Sequence, residues 1–266
     1  MAWNDVTGDQ LLYDVNGHVA TITFNRPDHM NTITGPMLAL LSELLVRADR
    51  DTEIRCIVLT GNGRAWCAGL DVKEQSQGGG ISLGGAPEIE MRDTPPIVLY
   101  GLDTPIIAAL NGGAAGYGLD VALACDIRIA ARSAKLAFAF AKRGILPESG
   151  GTWLLPRIVG RSLAAELMLT GRTLDANASL AAGLVSRVVE DDELAAAAQA
   201  LADEIAANAP LATRAIKRML RVSEAESFEA HVHHVFLQLI PLLRTKDFAE
   251  GVSSFVERRS PNFTGR

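Results

Sequence analysis

The chain has 266 residues, 48% of them hydrophobic and 21% charged, with a formal net charge of −6 at pH 7. That composition belongs to an ordinary globular protein long enough to bury a sizeable core, expected as one α/β domain with an appendage. The acidic balance argues against nucleic-acid and membrane-surface partners, which need a basic footprint, and no apolar run approaches the ~18 residues of a membrane span.

The opening MAWNDVTGDQ has neither the basic nor the apolar region of a secretory signal, so a cytoplasmic location is expected. Residues 11–15 and 18–24 read as two strands joined at Asn16-Gly17, a strong hairpin signal. A helix is expected over 34–48, with Leu38, Leu41, Leu44 and Leu45 on one face. Residues 54–60 form a compact apolar strand ending at Gly61-Asn62-Gly63. The Gly/Ser-rich stretch 76–87 reads as a mobile loop within a domain, because strand–helix alternation resumes after it. Further strands are expected at 106–110, 126–131 and 184–189, with a short helix beginning near Leu119. Short apolar strands interleaved with helices imply a parallel sheet with right-handed crossovers. From about Asp191 onward the pattern is wholly helical, in segments to Asn208, over 210–221 and over 223–243. The division that follows is a core over 1–200 and a helical region over 201–266 packing on that core or on a neighbouring subunit.

Two glycine-rich turns carry the chemical signal: Trp66-Cys67-Ala68-Gly69-Leu70-Asp71 and the stretch from Asn111 to Gly118. Each follows a strand and precedes a helix-like pattern, a place where backbone N–H groups stay unpaired at the positive end of a helix dipole. One such turn binds an anion or a polarised carbonyl; two that converge can hold an oxygen as it becomes negative. Other chemistries lack their residues. There is no P-loop, and Gly61-Asn62-Gly63 lacks the third glycine of a dinucleotide fingerprint. His231, His233 and His234 offer at most two ligands one helical turn apart, so no metal site is expected. Ser149 is not in a nucleophile elbow, and Cys56, Cys67 and Cys125 read as reduced core residues.

The segment Ala65-Trp66-Cys67-Ala68-Gly69-Leu70-Asp71-Val72-Lys73 resembles the F-C-A-G-x-D-x-K signature of the crotonase (enoyl-CoA hydratase/isomerase) superfamily. Residues 109–126, Asn25-Arg26-Pro27 with Asn31, 144–152 with Leu155-Pro156-Arg157, and the closing 247–266 are similar to further family elements in the same order. The resemblance implies an α/β spiral of ββα repeats with a C-terminal helical trimerisation region, assembled as a homotrimer or a dimer of trimers. It implies an acyl-CoA thioester as ligand, coenzyme A arriving as part of the substrate, and no permanently bound cofactor. By motif position the oxyanion-hole donors are the N–H groups of Leu70 and Tyr117. Arg26 and Lys73 become the expected cations for the CoA phosphates, with Arg64 a further candidate, and His29 and Met30 flank the adenine or pantetheine. Ala68, Gly69, Asp71 and Gly116 complete the expected substrate contacts. Asp28 stands where the family often has a lysine.

The chain departs from the family pattern at the acids. Hydratases of this type hold a water between two glutamates; here Asp120 stands at the first position and Phe140, which cannot transfer a proton, at the second. Glu148 instead matches the single acid of the isomerases, and an apolar lining at Phe140 would exclude water and raise its basicity. Double-bond isomerisation through Glu148, assisted by Asp120, is the expected reaction. Hydration by the Asp120/Glu148 pair stays open, as does a non-catalytic acyl-CoA-binding subunit.

Overall fold

The computed structural model describes residues 9–71 and 94–266. Strands β1 (Leu11–Asn16) and β2 (Val19–Phe24) pair antiparallel with Asn16 opposite Val19, so the turn residues are Gly17 and His18, one position later than expected. Gly17, at φ +57°, supplies the positive φ of the first central position. Helix α1 (Gly35–Arg50) begins at Thr34, whose hydroxyl accepts from the N–H of Met37, and buries Leu38, Leu41, Leu44 and Leu45.

Beyond the hairpin the chain alternates between two sheets. Strand β3 (Cys56–Gly61) enters the large sheet and β4 (Ala65–Cys67) the small one. After helix α2 (Pro95–Gly101), β5 (Ile106–Leu110) and β6 (Gly113–Ala115) repeat that step, and helix α3 (Tyr117–Ala124) follows. Strands β7 (Ile127–Ala131) and β8 (Lys135–Ala137) repeat it again. Helices α4 (Gly151–Val159) and α5 (Arg161–Thr170), strand β9 (Thr173–Asp175), helix α6 (Ala176–Ala181) and strand β10 (Arg187–Val189) close the spiral. The large sheet runs β1-β2-β3-β5-β7-β10, parallel from β2 onward; the small sheet runs β4-β6-β8-β9, with β9 antiparallel.

Both faces of the large sheet are covered, which is why β3 and β5 read as continuous apolar runs. One face packs against α1, α2 and α3, with Trp66 edge-on to Phe24 at 5.2 Å. The other packs Val58, Ile107 and Ile129 against Leu194, Ala198 and Ala202 of helix α7 (Leu194–Ala206). The expected boundary at residue 200 therefore falls inside a helix that covers the core. The appended helices are α8 (Pro210–Ser223), α9 (Phe228–Leu242) and α10 (Lys246–Glu257). The single helix expected over 223–243 starts later, at a cap where Ser227 accepts from the N–H of Ala230. Helix α8 docks by charge: Lys217 Nζ reaches Asp126 Oδ2 at 2.7 Å and the Thr104 carbonyl at 2.8 Å.

Candidate active site

Strands β4 and β6 are parallel neighbours, Ala65 opposite Gly113 and Cys67 opposite Ala114. Their C-terminal ends therefore lie side by side, and the turns that leave them, 68–70 and 116–117, meet. A methyl group built on Gly69 would lie 3.0 Å from the Ala115 carbonyl oxygen and 3.4 Å from the Tyr117 nitrogen. Gly69 has φ +103° and Gly116 has φ +52° with ψ −131°, conformations that glycine adopts freely. Bare backbone is what lets the two turns approach.

In the first turn the N–H of Ala68 donates to the Met30 carbonyl and that of Asp71 to Ile33, while the Gly69 carbonyl accepts from Ile33. The N–H of Leu70 has no acceptor among the described residues. In the second turn Tyr117 opens α3, so its N–H has no intrahelical acceptor, and it also has none among the described residues. Two N–H groups without acceptors, on turns this close, are the donors that a cradle for an oxygen with developing negative charge requires. The helix expected after the first turn lies outside the described residues.

The expected acids come together. Every residue of α3 is buried, Asp120 included, and the Asp120 carboxylate accepts the backbone N–H of Ser149 at 3.2 Å through Oδ2. Its Oδ1 is buried without a partner among the described residues. Gly151 makes room for it, since a methyl group there would overlap Oδ1 and crowd the Pro147 ring. Burial, reinforced by the negative charge of Glu148 and opposed by the Ser149 N–H, pushes the Asp120 carboxyl up to about 7. Glu148 itself is exposed on the turn that Asp120 holds, just ahead of α4. Phe140 is buried and presents only ring carbons. The Tyr117 phenol, buried beside Ser149 with no completed hydrogen bond, is kept neutral chiefly by burial. Cys67 is buried behind the first turn and pushed up to about 12 by burial, far from a thiolate nucleophile.

The expected CoA contacts divide. His29 is exposed and Met30 half-buried beside the first turn, with the Met30 carbonyl spent on Ala68. Arg26, expected at a phosphate, instead points Nη1 at Asp71 Oδ2 at 3.0 Å. Arg64 is exposed, and Lys73 and the stretch 76–87 lie outside the described residues. His231 and His234 both meet Glu226 through Nδ1, and no cluster of three or more metal-ligating side chains occurs among the described residues. Sequence reasoning missed the Ser149 amide that Asp120 accepts. The signal was available: a lone carboxylate in an otherwise apolar helix, LDVALA, must find a buried donor.

The comparisons with known proteins agree with this architecture. A family model described as enoyl-CoA hydratase/isomerase matches residues 14–266. The chain is 40% identical over 263 residues to a 1,2-epoxyphenylacetyl-CoA isomerase of Escherichia coli (strain K12), covering 96% of this chain and 98% of that one. It is 38% identical over 260 residues to an (E)-benzylidenesuccinyl-CoA hydratase of Thauera aromatica, covering 95% and 98%. The crystal structure of an enoyl-CoA hydratase from Bacillus anthracis superposes with a TM-score of 0.88 at 33% identity, over 97% of this chain and 100% of the other. An alternating two-sheet spiral, matched over nearly its whole length by such relatives, places this chain in the enoyl-CoA hydratase/isomerase family, with its crotonase fold.

Proposed function

We propose that the protein shifts a carbon–carbon double bond in an enoyl-CoA thioester, with the N–H groups of Leu70 and Tyr117 holding the thioester oxygen and Glu148 carrying the proton. The observation that carries this reading is the contact between the Gly69 and Gly116–Tyr117 turns, which leaves two unpaired N–H groups at one place. The Glu148 carboxylate takes the proton from the carbon next to the carbonyl of a 3-enoyl-CoA. The electron pair passes into the carbonyl to give a dienolate whose oxygen the two N–H groups stabilise. Glu148 returns the proton at the far end of the dienolate, leaving the 2-enoyl-CoA and a carboxylate ready for the next turnover.

A specific observation keeps hydration as the second reading. Asp120 has a carboxyl pushed up to about 7, and its Oδ2 accepts the N–H of Ser149, the residue next to Glu148. Two acids so placed could add water across the double bond, as the benzylidenesuccinyl-CoA relative does to its own substrate by name. Incubation with 2-enoyl- and 3-enoyl-CoA, followed by mass analysis, separates the two. Isomerisation interconverts them at constant mass, hydration adds the mass of water, and a mere binder changes neither. Glu148→Gln is expected to slow isomerisation roughly a hundredfold or more. Full activity in that variant overturns the reading.

We also infer that the C-terminal helices join copies of the chain, as a trimer or a dimer of trimers. Helix α9 has no buried residue, yet carries Phe236, Leu237 and Ile240 on its surface. The helix packs on α8, where Arg218 donates to Gln238, and an outer face this apolar is stable once a second surface covers it.

A further inference from the structure

Arg26 is the residue most readily given to a CoA phosphate, yet its guanidinium is turned inward. Its Nη1 lies 3.0 Å from Asp71 Oδ2, 2.6 Å from the Thr32 carbonyl and 3.2 Å from Thr32 Oγ1. Thr32 Oγ1 donates to the same carboxylate oxygen at 3.1 Å. The two charged side chains are only 14% and 13% exposed. A guanidinium already neutralised by a shielded carboxylate has little net charge to offer a phosphate.

We propose that the Arg26–Thr32–Asp71 cluster is a positioning device that orients the Leu70 N–H of the oxyanion hole. The inference rests on the enolate-stabilising reading above and assigns residues to it that the sequence placed elsewhere. Leu70's N–H and Gly69's C=O belong to one planar peptide unit and point in opposite directions. The Gly69 carbonyl accepts the N–H of Ile33 at 2.8 Å, and the Ile33 carbonyl accepts the N–H of Asp71 at 2.9 Å. Residues 32 and 33 thus set the plane of the peptide that carries the catalytic N–H. That bridge is a single isolated residue pair, Ile33 with Leu70, and no ladder continues from it among the described residues to keep register. The side-chain cluster supplies the missing restraint, because Arg26 and Thr32 grip Asp71, the residue next to Leu70.

The base of the cluster is equally fixed. Asn31 is fully buried with φ +54°, accepts the N–H of Arg26 through Oδ1 at 2.8 Å, and donates to the Ala65 and Asn62 carbonyls at 2.7 and 2.9 Å. It ties the segment that bears Arg26 to the strand that bears the turn. The ion pair has an electrostatic part as well: an unpaired Asp71 carboxylate one residue from the hole would oppose the negative charge forming there, and Arg26 cancels it.

The test uses cinnamoyl-CoA, whose conjugated thioester absorbs at longer wavelength when hydrogen-bond donors polarise its carbonyl, together with calorimetric binding of free CoA. The wild-type protein is expected to shift the absorbance to the red. Arg26→Gln and Thr32→Val are expected to lose more than about half of that shift and roughly tenfold or more in kcat for 3-enoyl-CoA. Their affinity for free CoA is expected to stay within about twofold of wild type, since no phosphate contact is removed. If Arg26→Gln weakens free CoA tenfold and keeps the full red shift, Arg26 is a phosphate ligand and the proposal falls. Should Arg26→Gln not fold, the milder Thr32→Val decides, and a full shift with wild-type kcat there overturns the proposal equally. A wild-type protein that binds cinnamoyl-CoA with no shift brings down the enolate reading itself, and the inference with it.

Discussion

Asp120 shows how burial turns an ordinary side chain into a pH-dependent one. Its carboxyl lies within a helix whose every residue is buried, with one backbone donor, one unpartnered oxygen and the Glu148 charge nearby. Desolvation wins over the single hydrogen bond, so the folded-state value rises to about 7 from an ordinary value near 4. The sign of the consequence follows from proton counting. Between those values the folded state holds a proton that the unfolded chain has released, so stability falls as pH rises through that window. The penalty is absent below about pH 4 and complete above about pH 7, and it amounts to a few kcal/mol. Asp120→Asn is expected to flatten the thermal midpoint between about pH 4 and 7 while the parent protein loses stability there. Midpoints that fall equally in both proteins would assign the slope to other groups.

At the scale of elements, two turns do what no single side chain does. Gly69 is the pivot, because a methyl group there meets the Ala115 carbonyl at 3.0 Å and crowds the Tyr117 nitrogen from a φ of +103°. Gly69→Ala is expected to cost about 1–3 kcal/mol in backbone strain and to lower turnover roughly a hundredfold by parting the two donors. Paired measurements of the thermal midpoint and kcat check this; an unchanged kcat would show that the turns can separate without harm. Which elements could be read beforehand follows from how each announces itself. Strand β5 was legible to the residue, since Ile106–Leu110 is a bounded apolar run, and α1 was legible from its 3.6-residue periodicity. The small sheet was not. Its strands Ala65–Cys67, Gly113–Ala115, Lys135–Ala137 and Thr173–Asp175 are three residues long, too short to show alternation. The two turns were visible from glycine spacing, and their partnership from motif order, but the Arg26–Asp71 pairing spans 45 residues and no local pattern encodes it.

At the scale of the whole molecule, the appended helices carry many of the exposed large apolar side chains. The core closes on itself, with the large sheet covered on both faces and the small sheet leading the two turns together. Helix α8 is fastened to that core by Lys217 and by the Arg218 and Arg221 ion pairs to Asp103. Helix α9 rests on α8, where Arg218 donates to Gln238 Oε1, and turns apolar side chains outward: Phe228 is 84% exposed, Phe236 57% and Leu237 67%. On α10, Phe255 is 86% exposed. At about 25 cal/mol per Å² of apolar surface, covering several such side chains contributes several kcal/mol to association. Because this apolar face lies on the appended helices, the proposed association is expected to be separable from the core by mutation. The wild-type protein is expected to sediment as a trimer or hexamer, and Phe236→Glu with Leu237→Glu to shift it toward the monomer while the spiral core keeps its secondary structure by circular dichroism. A wild-type protein that sediments as a monomer at micromolar concentration would remove the assembly inference and leave α9 free to meet some other surface.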